Sequence, residues 1–232
     1  MPFPPTPCGS FLTSPIITSQ AEINSSLKEY GLPPINPIEI ECFLDLVCPY
    51  SAKMYRTLYD DVVPGLNISN NTTSVDDRTY ITIKIHHVIQ PWHPQSTMVH
   101  EAALAVKQVL PGLYLGYIRN VYKRFSNKNK FTDDDTWNKT RLEIYDDLLD
   151  CLPTWFEDEQ KLQEVKELLY PLSLSDGNGG NGMTQDIKWA CKFHRARGVH
   201  VTPTVFANGI EATNVSSGWK ADDWNEFLKN EF

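Results

Sequence analysis

At 232 residues, 41% hydrophobic and 11% aromatic, the chain is long enough to bury a substantial core as one elaborated domain or two small ones. A formal net charge of −8 excludes broad nucleic-acid binding, which needs a basic face. No apolar run approaches the roughly 20 residues of a membrane span.

The first residues, MPFPPTPCGSFLTSP, carry neither a basic stretch nor an unbroken apolar core, so no secretory signal is recognisable there and a cytoplasmic location is expected. Residues 1–36 are rich in Pro, Ser and Thr and read as an irregular arm with one short helical turn near 21–30. The alternation then changes. In IEIECFLDLV, Ile38, Ile40, Cys42, Leu44 and Leu46 fall on one face, with Glu39, Glu41, Phe43 and Asp45 on the other, which predicts a strand over 38–47. Pro49 suits the first position of a helix running to about residue 63. A second strand, YITIKIHHV, is expected over 79–88.

From 95 to 198 the pattern is helical. Met98, Ala102, Ala105 and Val109 share a face, as do Leu142, Tyr145 and Leu149. Thr154 and Glu157 have the spacing of a capping box before a helix that Pro171 stops, and Thr184 is a candidate cap for the next. TPTVFANG is a short strand into a turn over 203–208, and WKADDWNEFLKNEF a final helix with Trp224, Phe227 and Leu228 inward. The boundaries are therefore an arm (1–36), an α/β core (37–94 and 199–232) and a helical insertion (95–198), with crossover connections between strands.

The chemistry concentrates in LDLVCPYSAK. Cys48 stands at the end of a strand and the start of a helix, where unpaired N–H groups and the helix dipole favour thiolate. Pro49 stiffens that turn without losing a helical hydrogen bond. Ser51, three residues on, can donate a hydrogen bond to sulfur but cannot form a disulfide. Asp45 is either a neighbour that tunes the thiol or a solvated carboxylate.

The five cysteines, Cys8, Cys42, Cys48, Cys151 and Cys191, are spaced for neither a disulfide framework nor zinc pairs. Cys42 lies roughly 20 Å upstream on the apolar face of its strand and, like Cys191, reads as a core thiol. Cys151 and Cys8 are unassigned, so no internal resolving thiol can be named. No metal site is expected, because His86 and His87 point to opposite faces of their strand. His93 reads as a packing or capping residue near the insertion, and the Asp133–Asp134–Asp135 run as a helix start. Asn24, Asn67, Asn70, Asn71, Asn138 and Asn214 open N-x-Ser/Thr sequons, read here as polar-loop composition.

FLDLVCPYS followed far downstream by VTPTVFANG, with a helical block between them, resembles the DsbA-like branch of the thioredoxin superfamily over about residues 37–230. HHVIQPWHPQSTMVHEAALAV resembles that family's passage from its second core strand into the insertion. The resemblance implies an α/β thioredoxin-like fold with a large helical insertion and a cis peptide at Pro203 beside Cys48. It also implies that Thr202 presents its backbone to an extended peptide or glutathione. Cys48 and Ser51 would then be the catalytic pair, with Pro49, Tyr50, Thr202 and Pro203 contacting substrate.

The departure from the family is Ser51, where a second cysteine would release product. The leading expectation is a monothiol thiol-disulfide oxidoreductase with no bound cofactor, in which Ser51 steadies the thiolate and glutathione or another external thiol resolves the mixed disulfide. A redox-inactive scaffold that keeps the peptide groove is the alternative. A third expectation is an enzyme like the kappa-class glutathione transferases, whose usual serine position is here Cys48. Partners are thiol or disulfide substrates, peptides or glutathione.

Overall fold

The computed structural model describes residues 10–11, 38–65, 81–171 and 177–230. Five strands form one sheet in the order β1-β3-β2-β4-β5. At its centre β2 (Ile38–Leu44) runs parallel to β3 (Ile81–His87), with Ile40 opposite Ile83 and Cys42 opposite Ile85. β4 (Thr204–Ala207) lies antiparallel on the other side of β2. It reaches β5 (Ile210–Glu211) through a two-residue turn. Asn208 and Gly209 make that turn with φ of 47° and 82°, the left-handed pair a tight hairpin requires. The Asn208 side chain accepts from Glu39 N–H at 2.8 Å and so ties the turn to β2.

β1 (Ser10–Phe11) pairs antiparallel with β3. The expectation of an irregular arm is corrected at these two residues, where pairing with β3 satisfies backbone groups an edge would leave open. The turn expected at 21–30 lies outside the described residues.

The expected first strand stops three residues early. Asp45 is turned out of the ladder: its Oδ1 accepts from Val47 N–H at 3.2 Å and its carbonyl from Cys48 N–H at 3.1 Å. α1 (Pro49–Thr57) follows and passes directly into a π-helical turn, Leu58–Val62.

The helical segment comprises α2 (Ser96–Val109), a 3₁₀ turn (Pro111–Leu113), α3 (Tyr114–Lys128), α4 (Asp133–Thr136), α5 (Arg141–Leu149), α6 (Glu159–Leu169) and α7 (Thr184–Ala196). α2 is its hub, packing on α3, α5, α6 and α7. Buried Glu101 of α2 fixes α5 by accepting from Arg141 at 2.7 Å and from the Tyr145 hydroxyl at 2.5 Å. Two expected caps are corrected. Thr154 sits in a turn with no cap role, and α6 is capped instead by Asp158, which accepts from Lys161 N–H. Thr184 is already the first helical residue of α7, with Met183 at the cap, and its hydroxyl accepts from Asn181 N–H.

α8 (Ala221–Asn230) returns to pack against the π turn. The main core joins one face of β2 and β3 to α1, α2, α3 and α8 through Ile40, Cys42, Tyr55, Val106, Tyr122 and Trp224. The opposite face carries a smaller aromatic cluster of Phe43, Val88, Val199 and Phe206 with Phe193 of α7. β2 is therefore covered on both faces, and at its C-terminal end the chain turns into α1.

Candidate active site

At that end Cys48 is the N-cap residue of α1, and Pro49 occupies the first helical position. Cys48 is only 5% exposed. Pro49 and Tyr50 beside it are exposed, Tyr50 by 63%. Because β4 runs antiparallel to β2, its leading residues arrive at the same end of the sheet. The Thr202–Pro203 peptide is cis, and Cys48 Sγ lies 3.4 Å from Thr202 O, donating to it. The topology thus brings together Cys48, Pro49, Tyr50, Thr202 and Pro203, from segments about 150 residues apart.

Ser51 is fully buried, and its Oγ accepts from Asp45 N–H at 3.3 Å. The expected donation to Cys48 is not among the hydrogen bonds of the described residues. The Ser51 hydroxyl instead supplies an acceptor for the Asp45 N–H, which the turn that ends β2 takes out of the ladder.

Asp45 is the residue the sequence reading undervalued. It is fully buried and saturated with donors. Ser96 Oγ donates to Oδ1 at 2.8 Å, and His93 Nδ1 lies 2.8 Å from Oδ2. Burial alone would raise the carboxyl, but the contacts with His100 and then His93 and the Val47 N–H outweigh it and hold it below the usual carboxylate range.

His100 Nε2 lies 3.3 Å from Asp45 Oδ1 and 3.2 Å from Leu46 N. One nitrogen serves one of these at a time, donating to the carboxylate or accepting from the amide. On its other side His100 Nδ1 meets His87 Nδ1, and His87 Nε2 meets the Tyr114 hydroxyl, each at 2.5 Å. Burial pushes His87 well below its ordinary range. His86, on the opposite face, lies 3.0 Å from Glu41. No cluster of three or more potential metal ligands occurs among the described residues.

Cys42, Cys48, Cys151 and Cys191 are all free thiols. Burial pushes Cys42 and Cys151 up to about 12 and raises Cys191. Burial therefore disfavours the thiolate form at all three.

No protein-family model and no curated protein matches the chain. Solved structures do. A candidate protein-disulfide isomerase from Pseudomonas syringae matches with TM-score 0.56 and 21% identity, covering 82% of this chain and 93% of that one. The thiol-disulfide oxidoreductase MdbA of Actinomyces oris matches with TM-score 0.55 and 16% identity, covering 83% and 80%. BdbD of Bacillus subtilis matches with TM-score 0.51 and 14% identity, covering 84% and 86%. MdbA and BdbD are extracellular or periplasmic enzymes. The cytoplasmic expectation is therefore withdrawn, since a fold shared with such proteins gives no ground for a cytosolic assignment. Among the described residues no helix is long and apolar enough to cross a membrane. The likenesses show the fold: an α/β thioredoxin-like core of the DsbA type, with a large helical insertion.

Proposed function

We propose that this chain is a thiol-disulfide oxidoreductase that works through Cys48 by a monothiol route. One observation carries the reading. Cys48 Sγ lies at the N-terminus of α1 and against the carbonyl of Thr202, while the position one helical turn on is a buried serine. The thiolate of Cys48 attacks a disulfide R–S–S–R″, forming Cys48–S–S–R and releasing R″S⁻. Ser51 has no sulfur with which to break that bond, and the other described thiols are buried or raised. An external thiol, with glutathione as the leading candidate, then attacks the sulfur of R and regenerates the Cys48 thiolate.

Substrate meets the protein along Pro49, Tyr50, Thr202 and Pro203. Thr202 and the exposed Val201 before it present backbone to an extended peptide, in the manner of strand addition.

The test is incubation with a glutathionylated peptide, followed by mass spectrometry of the intact protein and its fragments. A single adduct on Cys48 is expected, discharged by added glutathione and absent from Cys48→Ser. Failure of Cys48 to acquire an adduct or an alkyl label while Cys191 is labelled would overturn the redox reading in favour of a binding scaffold.

A further inference from the structure

A monothiol enzyme has to admit its resolving thiol, which attacks as the thiolate. At pH 7 a thiol of ordinary acidity is only about 3% thiolate, so a base that ionises it can gain at most roughly 30-fold. His93 is placed for this. It sits between β3 and α2, with Nδ1 2.8 Å from Asp45 Oδ2. An ionised carboxylate only accepts, so the proton on that line belongs to Nδ1, and in the neutral ring Nε2 is the nitrogen left to accept. Among the described residues Nε2 has no partner.

The His93 side chain is 20% exposed and forms part of the wall of a cleft of about 310 Å³, together with Val47, Pro49, Phe125, Asp133 and Asp134. That volume is at the lower end of small-molecule sites. Val47 and Pro49 are the chain neighbours of Cys48, so the cleft borders the turn that carries the thiol, whose own sulfur lies against Thr202. Asp45, buried and held by Ser96, Val47 and His100, fixes the imidazole as the acid of a catalytic triad does.

We propose that this cleft receives the resolving small-molecule thiol and that His93, oriented by Asp45, is its general base. The inference rests on the monothiol reading. His93 Nε2 takes the proton of R′S–H, and R′S⁻ attacks the sulfur of R in Cys48–S–S–R. The bond to Cys48 breaks, R–S–S–R′ leaves, and Cys48 is again a thiolate. In the next turnover the imidazolium returns its proton to R″S⁻ as that group leaves. The cycle sums to R–S–S–R″ + R′SH → R–S–S–R′ + R″SH, with no other oxidant or reductant.

The charged and titratable groups facing His93 are Asp45 from the turn, His100 of α2 across that carboxylate, and Asp133 and Asp134 of α4 across the cleft. Neither of the two α4 carboxylates is paired with a cation among the described residues, whereas Asp135 beside them is held by Lys130 and Lys139. They attract the ammonium group of an amino-thiol and repel its carboxylates, which favours a cationic thiol over an anionic one.

The test separates the two half-reactions. The mixed disulfide is formed on Cys48, and its discharge at pH 7 is followed with thiols of graded acidity in the parent, His93→Gln and His93→Ala. Discharge by glutathione should slow roughly 10- to 30-fold in both variants. With an aromatic thiol already ionised at pH 7 the loss should shrink to within about threefold, since no proton then has to be removed. Added imidazole should restore part of the His93→Ala rate. An equal loss with every thiol, or none, would overturn the role of His93, because a merely structural residue does not discriminate by thiol acidity. His93→Gln keeps an N–H toward Asp45, so it decides the question if His93→Ala does not fold. Failure to form the Cys48 adduct at all would instead overturn the monothiol reading itself.

Discussion

At the scale of single residues, Ser51 and Asp45 are linked by one hydrogen bond that changes what Ser51 is expected to do. Its Oγ satisfies a buried amide, so Ser51→Ala should act first on folding. An unpaired buried N–H costs about 1–3 kcal/mol, readable as a lower urea midpoint at unchanged m-value, with the Cys48 adduct still formed. Ser51→Cys replaces that acceptor by a weaker one but places a second thiol one helical turn from Cys48. It should show an intramolecular disulfide on oxidation, a loss of two mass units, and turnover without an external resolving thiol. Persistence of two free thiols after oxidation would show that the fourth position does not reach Cys48. The Cys48–Thr202 contact was legible in the sequence, because both ends belong to short motifs whose order and separation are distinctive. The Asp45 cluster was not. Its partners His93, Ser96 and His100 come from one segment some 50 residues away, and an isolated aspartate before a cysteine looks the same whether solvated or fully buried.

Elements were legible wherever periodicity was strong, and misread where a local pattern occurred twice. Thr140-Arg-Leu-Glu143 and Thr154-Trp-Phe-Glu157 have the same capping spacing. Only the first caps a helix: Thr140 Oγ1 accepts from Glu143 N–H, and Glu143 accepts in return from Thr140 N–H at 2.7 Å. The second is held in a turn by Phe156 N–H donating to Pro153 O, and the helix waits for Asp158. Thr140→Ala should therefore destabilise the protein by about 1 kcal/mol, whereas Thr154→Ala should be neutral within roughly 0.5 kcal/mol, both measured by denaturant unfolding. β2 shows a different limit of sequence reading. Alternation separated an apolar face from one bearing Glu39, Glu41 and Phe43, but said nothing of what covers the second face. In the fold α7 covers that second face, and the Arg197 guanidinium lies over the Phe206 ring at 4.4 Å. A helix 150 residues downstream cannot be seen in the period of a seven-residue strand.

For the whole molecule, the covered second face makes stability depend on acid. Glu41, 5% exposed, accepts from Arg197 Nη1 and Nη2, at 3.3 and 2.9 Å, and lies 3.0 Å from His86. Burial opposes its ionisation, but the hydrogen bonds and charge of His86 and Arg197 prevail and lower it from 4.5 to about 2. His86 moves down as well, because burial outweighs the help of Glu41. Both shifts have the same consequence. Where the folded value lies below the unfolded one, the unfolded chain binds a proton that the folded chain refuses, so stability falls as pH falls. The His86 contribution fades below its ordinary value of about 6.5. That of Glu41 is fully present above 4.5 and is lost as pH drops through about 2, a difference of order 3 kcal/mol. Asp45 adds to the same trend, so the parent profile alone cannot assign the loss to Glu41. The difference between the parent and Glu41→Gln can, since the two carboxylates share no hydrogen-bond partner. Urea unfolding of both proteins from pH 7 to pH 2 should show Glu41→Gln destabilised at neutral pH and converging on the parent between pH 4.5 and 2. Parallel curves over that interval would mean that the fold does not hold Glu41 below its ordinary range, and that the Arg197 contact acts by stacking on Phe206 alone.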